Sequence, residues 1–290
     1  MKTSVCSVFL ALGLQDYSGS YLDCPTQVFD TTPDFLNITV PMVSTQGQIR
    51  SAIDVFESAA QGTKPADLFE MQSWMMGGAH VSLGYGLLSL YEQAEDIQPQ
   101  DVQDFVGYSL QWVAAMEEHH DHEERFYLPM FPSKFASISG AAIHGEHESF
   151  AANLQSMHDY LVSCLPSGTA YGYGLVTGDH EQQSFDGKKL KDIVDGMIEN
   201  WCKHMTNELN YLSPSNLRES DLTEDELKKI GAETAAHMKS QPKTTFGVYV
   251  VIHTPSSLSF PPMPGFVKNY IIPYILYIPY RRLWRFAPKL

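Results

Sequence analysis

Residues 117–132 read EEHHDHEERFYLPMFP, with three histidines and four glutamates inside the first eight positions. On a helix of 3.6 residues per turn, positions four apart differ by about 40° in direction, so His119 with Glu123 and His120 with Glu124 each leave one face together. A neutral imidazole and a carboxylate one turn apart can ligate a single first-row transition metal. The same letters also suit a solvated, charged helix end, and this stretch alone does not separate the two. A second stretch tips the balance: in WCKHMTNELNYLSP, residues 201–214, His204 and Glu208 repeat the His-x-x-x-Glu spacing.

Around these stretches the apolar pattern is helical. After helical patterning that begins at Ile49, the segment Pro65 to Ala94 opens with proline and Asp67 in its first turn and repeats apolar residues from Leu68 to Ala94 every three or four positions, with His80 beside the stripe. A second helix starts at Pro99-Gln100-Asp101, runs into the opening stretch and ends near Pro129 to Pro132. A third spans Ala141 to Cys164, with His144 and His147 near its start, and a fourth runs from about Phe185 to Leu212. Thr223 and Glu226 form a capping-box pattern that opens a short, peripheral fifth helix. Residues 1–48 read as an irregular N-terminal extension, 49–215 as the principal domain, and 216–290 as the peripheral helix with a proline- and aromatic-rich tail.

The expected fold is therefore all-α, an up-down-up-down four-helix bundle with terminal extensions. In that topology, ligands late in helices 2 and 4 meet ligands early or midway in helices 1 and 3. His119, Glu123, His204 and Glu208 are late, His144 and His147 are early, and His80 is midway. Five histidines and two carboxylates exceed the four ligands of structural zinc and suit two metal ions. Mixed imidazole and carboxylate ligation fits iron, with manganese or zinc as alternatives. Glu118, Asp121, Glu146 and Glu148 are candidates to hold the outer imidazole nitrogens. His122, His158, His180, His237 and His253 read as structural or exposed.

His80, the run HHDHEERFYLP, HGEHESF around His144 and His147, and HMTNEL from His204 together resemble the hemerythrin-like, histidine-histidine-glutamate cation-binding family over about residues 65–215. The resemblance implies a four-helix bundle around a non-haem di-iron centre that binds or reacts with dioxygen. Carried over, it implies His80, His119, Glu123, His144, His147, His204 and Glu208 as ligands, with His120 and Glu124 as the alternate register. Two departures stand out. The position four before His147, a histidine in hemerythrins proper, is Ile143, and helix 4 has His-x-x-x-Glu where oxygen carriers take a longer step to aspartate. An oxidase or oxygenase acting on a small organic substrate is the competing function.

Composition bounds the partners. Nineteen basic against 34 acidic residues, net −15, argue against a broad grip on nucleic acid and disfavour anionic membrane surfaces. No stretch has the roughly 20 apolar residues of a transmembrane helix. Four scattered cysteines without a Cys-x-x-Cys pair suggest a reducing, cytoplasmic setting. The apolar run Val5 to Leu14 and the sequon Asn37-Ile38-Thr39 keep secretion as a minor alternative. The aromatic tail is expected to pack on the outside of the bundle or dock on a protein partner, with peripheral membrane contact second.

Overall fold

Among the described residues the chain is mostly helical, as its periodicity leads one to expect. The structure, a computed structural model, describes residues 43–131, 141–172 and 175–290. The N-terminal apolar run, the sequon, Cys6 and Cys24 lie outside the described residues. Helix α1 spans Thr45–Ala59, α2 Leu68–Gln93, α3 Val102–His122 and α4 Ala141–Ser163. A small hairpin of β1 (Ala170–Gly172) and β2 (Leu175–Val176) follows. The expected fourth helix is two, α5 (Gly187–Asp195) and α6 (Ile198–Tyr211), separated at Gly196 and Met197. After α7 (Pro214–Glu219) and α8 (Glu224–Ser240), α9 (Val248–Ile252) and α10 (Arg281–Trp284) complete the set.

Local chemistry explains where the helices begin. Asp67 accepts from the backbone N–H groups of Phe69 and Glu70 and so caps α2, which places Pro65 outside the first turn where the sequence had put it. Thr223 and Glu226 close the reciprocal capping box at the start of α8.

Helix α2 is buried on nearly every side rather than along one stripe, because α1, α3, α6, α8 and α9 all pack on it. α3 also touches α4, and α4 touches α6, so the ends of the histidine-bearing helices surround one interior.

The C-terminal residues are part of this packing. Tyr249 donates to the Ser82 carbonyl at 3.1 Å, and the Phe286 carbonyl accepts from Ser89 at 2.7 Å and Gln93 at 2.8 Å. Gly86 makes this possible: a Cβ there would collide with the Tyr249 hydroxyl and lie 2.9 Å from the Trp112 ring. Gly86→Ala is therefore expected to destabilise the protein by about 1–3 kcal/mol in chemical denaturation, outweighing the roughly 1 kcal/mol by which alanine favours a helix.

His253, expected to be structural, is fully buried in the same region. Its Nδ1–H donates to the Tyr249 carbonyl at 2.8 Å, which leaves Nε2 to accept from the Tyr108 hydroxyl at 2.7 Å. Burial pushes its pKa down to about 4, partly opposed by the Tyr249 carbonyl. The unfolded chain then binds a proton that the folded chain refuses. Stability is full above about pH 6.5 and falls by on the order of 3 kcal/mol as pH drops towards 4. In urea titrations across that window, His253→Asn is expected to make the dependence shallower by about one proton.

Candidate metal centre

The opening stretch supplies α3 with its last turns. Measured around the axis from His119, His120 lies about 100° away and Glu123 about 40°, so the carboxylate leaves the helix between the two imidazoles. From Glu123 to Tyr127 the helix widens into a π turn, a feature often found at functional sites. Both Glu123 and Tyr127 are buried, and the Tyr127 hydroxyl donates to Gln72 on α2 at 2.9 Å.

Two groups of side chains converge here, and each could hold a metal ion. His80, His119, Glu123 and Glu208 form one; His120, Glu123, His147 and His204 form the other. Within each group the ligand atoms lie within 4.8 Å of one another. Glu123 belongs to both. Its Oε1 is 3.1 Å from His119 Nε2, and its Oε2 is 3.3 Å from His147 Nε2. In the first group, His80 Nε2 lies 3.2 Å from Glu208 Oε2 and 3.2 Å from His119 Nε2.

The electrostatics fit metal ligation. Burial, reinforced by the neighbouring imidazoles, holds His119 and His120 well below the ordinary histidine range. Burial also brings His204 down to about 3, although Glu208 opposes it. These rings are neutral at pH 7, the form that binds metals. Glu123 is pushed well above the carboxylate range by burial and by Glu208. In Glu208 burial acts the same way, but hydrogen bonding and charge from His80, with His204 and His147, outweigh it and hold the pKa low.

Nine of the seventeen buried side-chain polar atoms without a hydrogen-bond partner among the described residues belong to these two groups. An unsatisfied buried polar atom costs about 1–3 kcal/mol, and a concentration of them suits a site that could hold a cation.

Outer contacts fix the rings. His147 donates through Nδ1 to Glu124 Oε1 at 2.6 Å, which leaves Nε2 facing Glu123. Glu146 approaches His204 Nδ1 at 3.5 Å and is itself held by Asn207 at 2.7 Å and Tyr211 at 3.3 Å. Phe56 of α1 packs edge-on against His80, with ring centroids 5.2 Å apart, and closes the interior from a fifth helix.

The structure thus brings His80, His119, Glu123, His147, His204 and Glu208 together, and leaves His144 out. His144 is exposed and hydrogen-bonded to Glu124 at 3.1 Å. Three residues before His147 on the same helix, it points about 60° off that ring's direction. His120 takes the place that His144 was expected to fill, packing against His147 and His204 at centroid distances of 4.2 and 5.6 Å. His119 and His120 are therefore not competing registers; each belongs to one group.

Of the proposed outer carboxylates, Glu146 reaches a ring of the two groups. Glu118 instead accepts from His237 and Gln241, Asp121 pairs with Arg125, and Glu148 stands 3.6 Å from His144. Glu124, read as an alternate ligand, is an outer partner. His122, expected to be solvated, is buried against His237 of α8, with rings stacked at 4.4 Å. On α3, His122 lies about 60° from His119 and about 160° from His120, and the helix that covers it is distant in sequence.

No protein-family model matches the chain, and no solved structure matches it. Among curated proteins it is similar to one described as "Dimeric xanthone biosynthesis cluster protein R11" from Cryptosporiopsis sp. (strain 8999). The two are 23% identical over 208 residues, which cover 69% of this chain and 71% of that protein.

Proposed function

We propose that the chain is a hemerythrin-like, non-haem di-iron protein that binds dioxygen or handles iron, with its ions inside a four-helix bundle formed by α2, α3, α4 and α6. The observation that carries this reading is the Glu123 carboxylate, whose two oxygens face two different histidine groups. A carboxylate shared in this way would let one residue serve two ions. His80, His119 and Glu208 serve one ion; His120, His147 and His204 serve the other. The nitrogen and oxygen donors suit iron, and manganese or zinc also accept such a set. When bound, the iron pair supplies reversible or reductive chemistry towards dioxygen. The chain supplies a buried pocket of neutral imidazoles, Glu124 to fix which His147 nitrogen is free, and Glu146 to orient His204.

A second reading, an oxidase or oxygenase acting on a small organic substrate, is favoured by the relative whose name places it in a xanthone biosynthesis cluster. The two readings separate spectroscopically. An oxygenated species whose visible absorption reverses under vacuum supports carriage or sensing, and irreversible oxidation of the reduced protein supports enzyme chemistry.

Metal analysis of purified protein is expected to give two ions per chain. His80→Ala and His120→Ala should each lose about one, Glu123→Ala both, and His144→Ala none; two ions retained in both His80→Ala and His120→Ala would sink the reading. Glu124→Gln or Glu146→Gln should keep the stoichiometry and weaken affinity by about 10- to 100-fold.

The raised pKa of Glu123 sets the pH dependence. Its carboxyl holds a proton in the metal-free protein up to a higher pH than an ordinary glutamate, and the ion must displace it. Affinity is therefore expected to rise with pH. Calorimetry in buffers of different ionisation enthalpy should show proton release on metal binding that diminishes as pH rises.

A further inference from the structure

Charge is distributed unevenly along the chain. After Glu233 no acidic residue occurs, whereas seven lysines and arginines do, so residues 234–290 carry a formal +7 and the preceding 233 residues −22. Within this basic end, Val267–Leu276 forms a wide, π-type helical segment that is anchored on its inner side. Ile272 is buried there, as is Trp284 further on. On the outer side Phe266, Tyr270, Tyr274, Ile275 and Ile278 are each more than half exposed. Phe266, Tyr270 and Tyr274 recur in a stripe every four residues, close to one turn of such a segment, with Ile275 and Ile278 beside them, and the exposed Arg281 and Arg282 follow. Neighbouring cations are occupied: Arg285 by Asp101 and Asp104, and Lys268 by the Leu258 and Phe260 carbonyls.

We infer that this stripe is a docking face for an anionic lipid bilayer surface. Tyrosine has an apolar ring and a polar tip, which suits the boundary between acyl chains and headgroups. Isoleucine and phenylalanine insert beside it, and the two arginines meet anionic headgroups. Among the described residues no helix is long and apolar enough to cross a membrane, so the segment lies on the surface.

A second copy of the chain fits less well. Stripe against stripe would oppose two arginine pairs. Docking on the body of a copy would require an apolar counterpart, and the other exposed large apolar residues are scattered over separate elements, among them Val55, Phe126 and Val176. Because the inner side is already fixed by packing, docking pays little to order the segment.

The net −15 of the chain does not oppose this. At physiological ionic strength charges act over about 8 Å, so Arg281 and Arg282 act locally while the acidic remainder is screened.

The test is sedimentation of the full-length protein with vesicles of phosphatidylcholine alone or with added phosphatidylserine. The parent protein should bind the phosphatidylserine vesicles and release with salt. The triple variant Tyr270→Ser, Tyr274→Ser, Ile275→Ser should lose binding, and Arg281→Glu with Arg282→Glu should weaken it by about 30-fold or more. Circular dichroism and melting should stay unchanged in both, since every altered side chain is exposed. Absence of binding by the parent, or equal binding by the triple variant, overturns the inference. So does a dimer seen by light scattering without lipid that the triple variant abolishes, which would assign the face to a second copy.

Discussion

The structure depends on one buried carboxylate. Glu123 has no measurable exposure, and neither of its oxygens has a hydrogen-bond partner, yet it stands between five imidazoles. Ionising it there without a partner would cost several kcal/mol, which is why its pKa is raised. The chain manages that cost by arrangement. Histidines arrive from α2, α3, α4 and α6, with Phe56 and Trp201 packed around them, and the group most hostile to burial becomes the one shared by both halves of the site. A cation held there would satisfy all of these groups at once, which no local hydrogen bond can do.

Within that interior, two glutamates of the same exposure behave oppositely. Burial acts on both in the same direction, but Glu208 faces His80 and its pKa falls, while Glu123 faces Glu208 as well and its pKa rises. The difference is one of neighbours, not of residue type: one carboxylate is held ionised and the other holds its proton to a higher pH. The π turn that begins at Glu123 belongs to the same economy of position, since it keeps both Glu123 and Tyr127 facing inward.

Outside the centre, the C-terminal residues act as a strap. Their polar contacts to Ser82, Ser89 and Gln93 on α2 hold the helix that carries His80, and Gly86 is small enough to let Tyr249 reach it. The strap is rigid on one side and exposes aromatic and aliphatic residues on the other. The boundary drawn at residue 216 thus does not divide the packing, and the change from acidic to basic sequence falls later, after Glu233.

Much of this was legible in the residues. Helix positions followed from apolar periodicity and from caps such as Asp67 and Thr223, because these signals are local. The convergence of His80, His119, Glu123, His147, His204 and Glu208 followed from counting along helices. What tertiary packing alone decided was which side of each helix is interior. His144 and His120 both carry the right chemistry, but the orientation of α4 turns His144 to solvent, and the meeting of α3, α4 and α6 turns His120 inward. His122 is buried only because α8, more than a hundred residues later, lies against it. Local sequence sets the direction of a side chain relative to its own helix; only the neighbours that pack against that helix determine whether the direction leads to water, to a ring or to an ion.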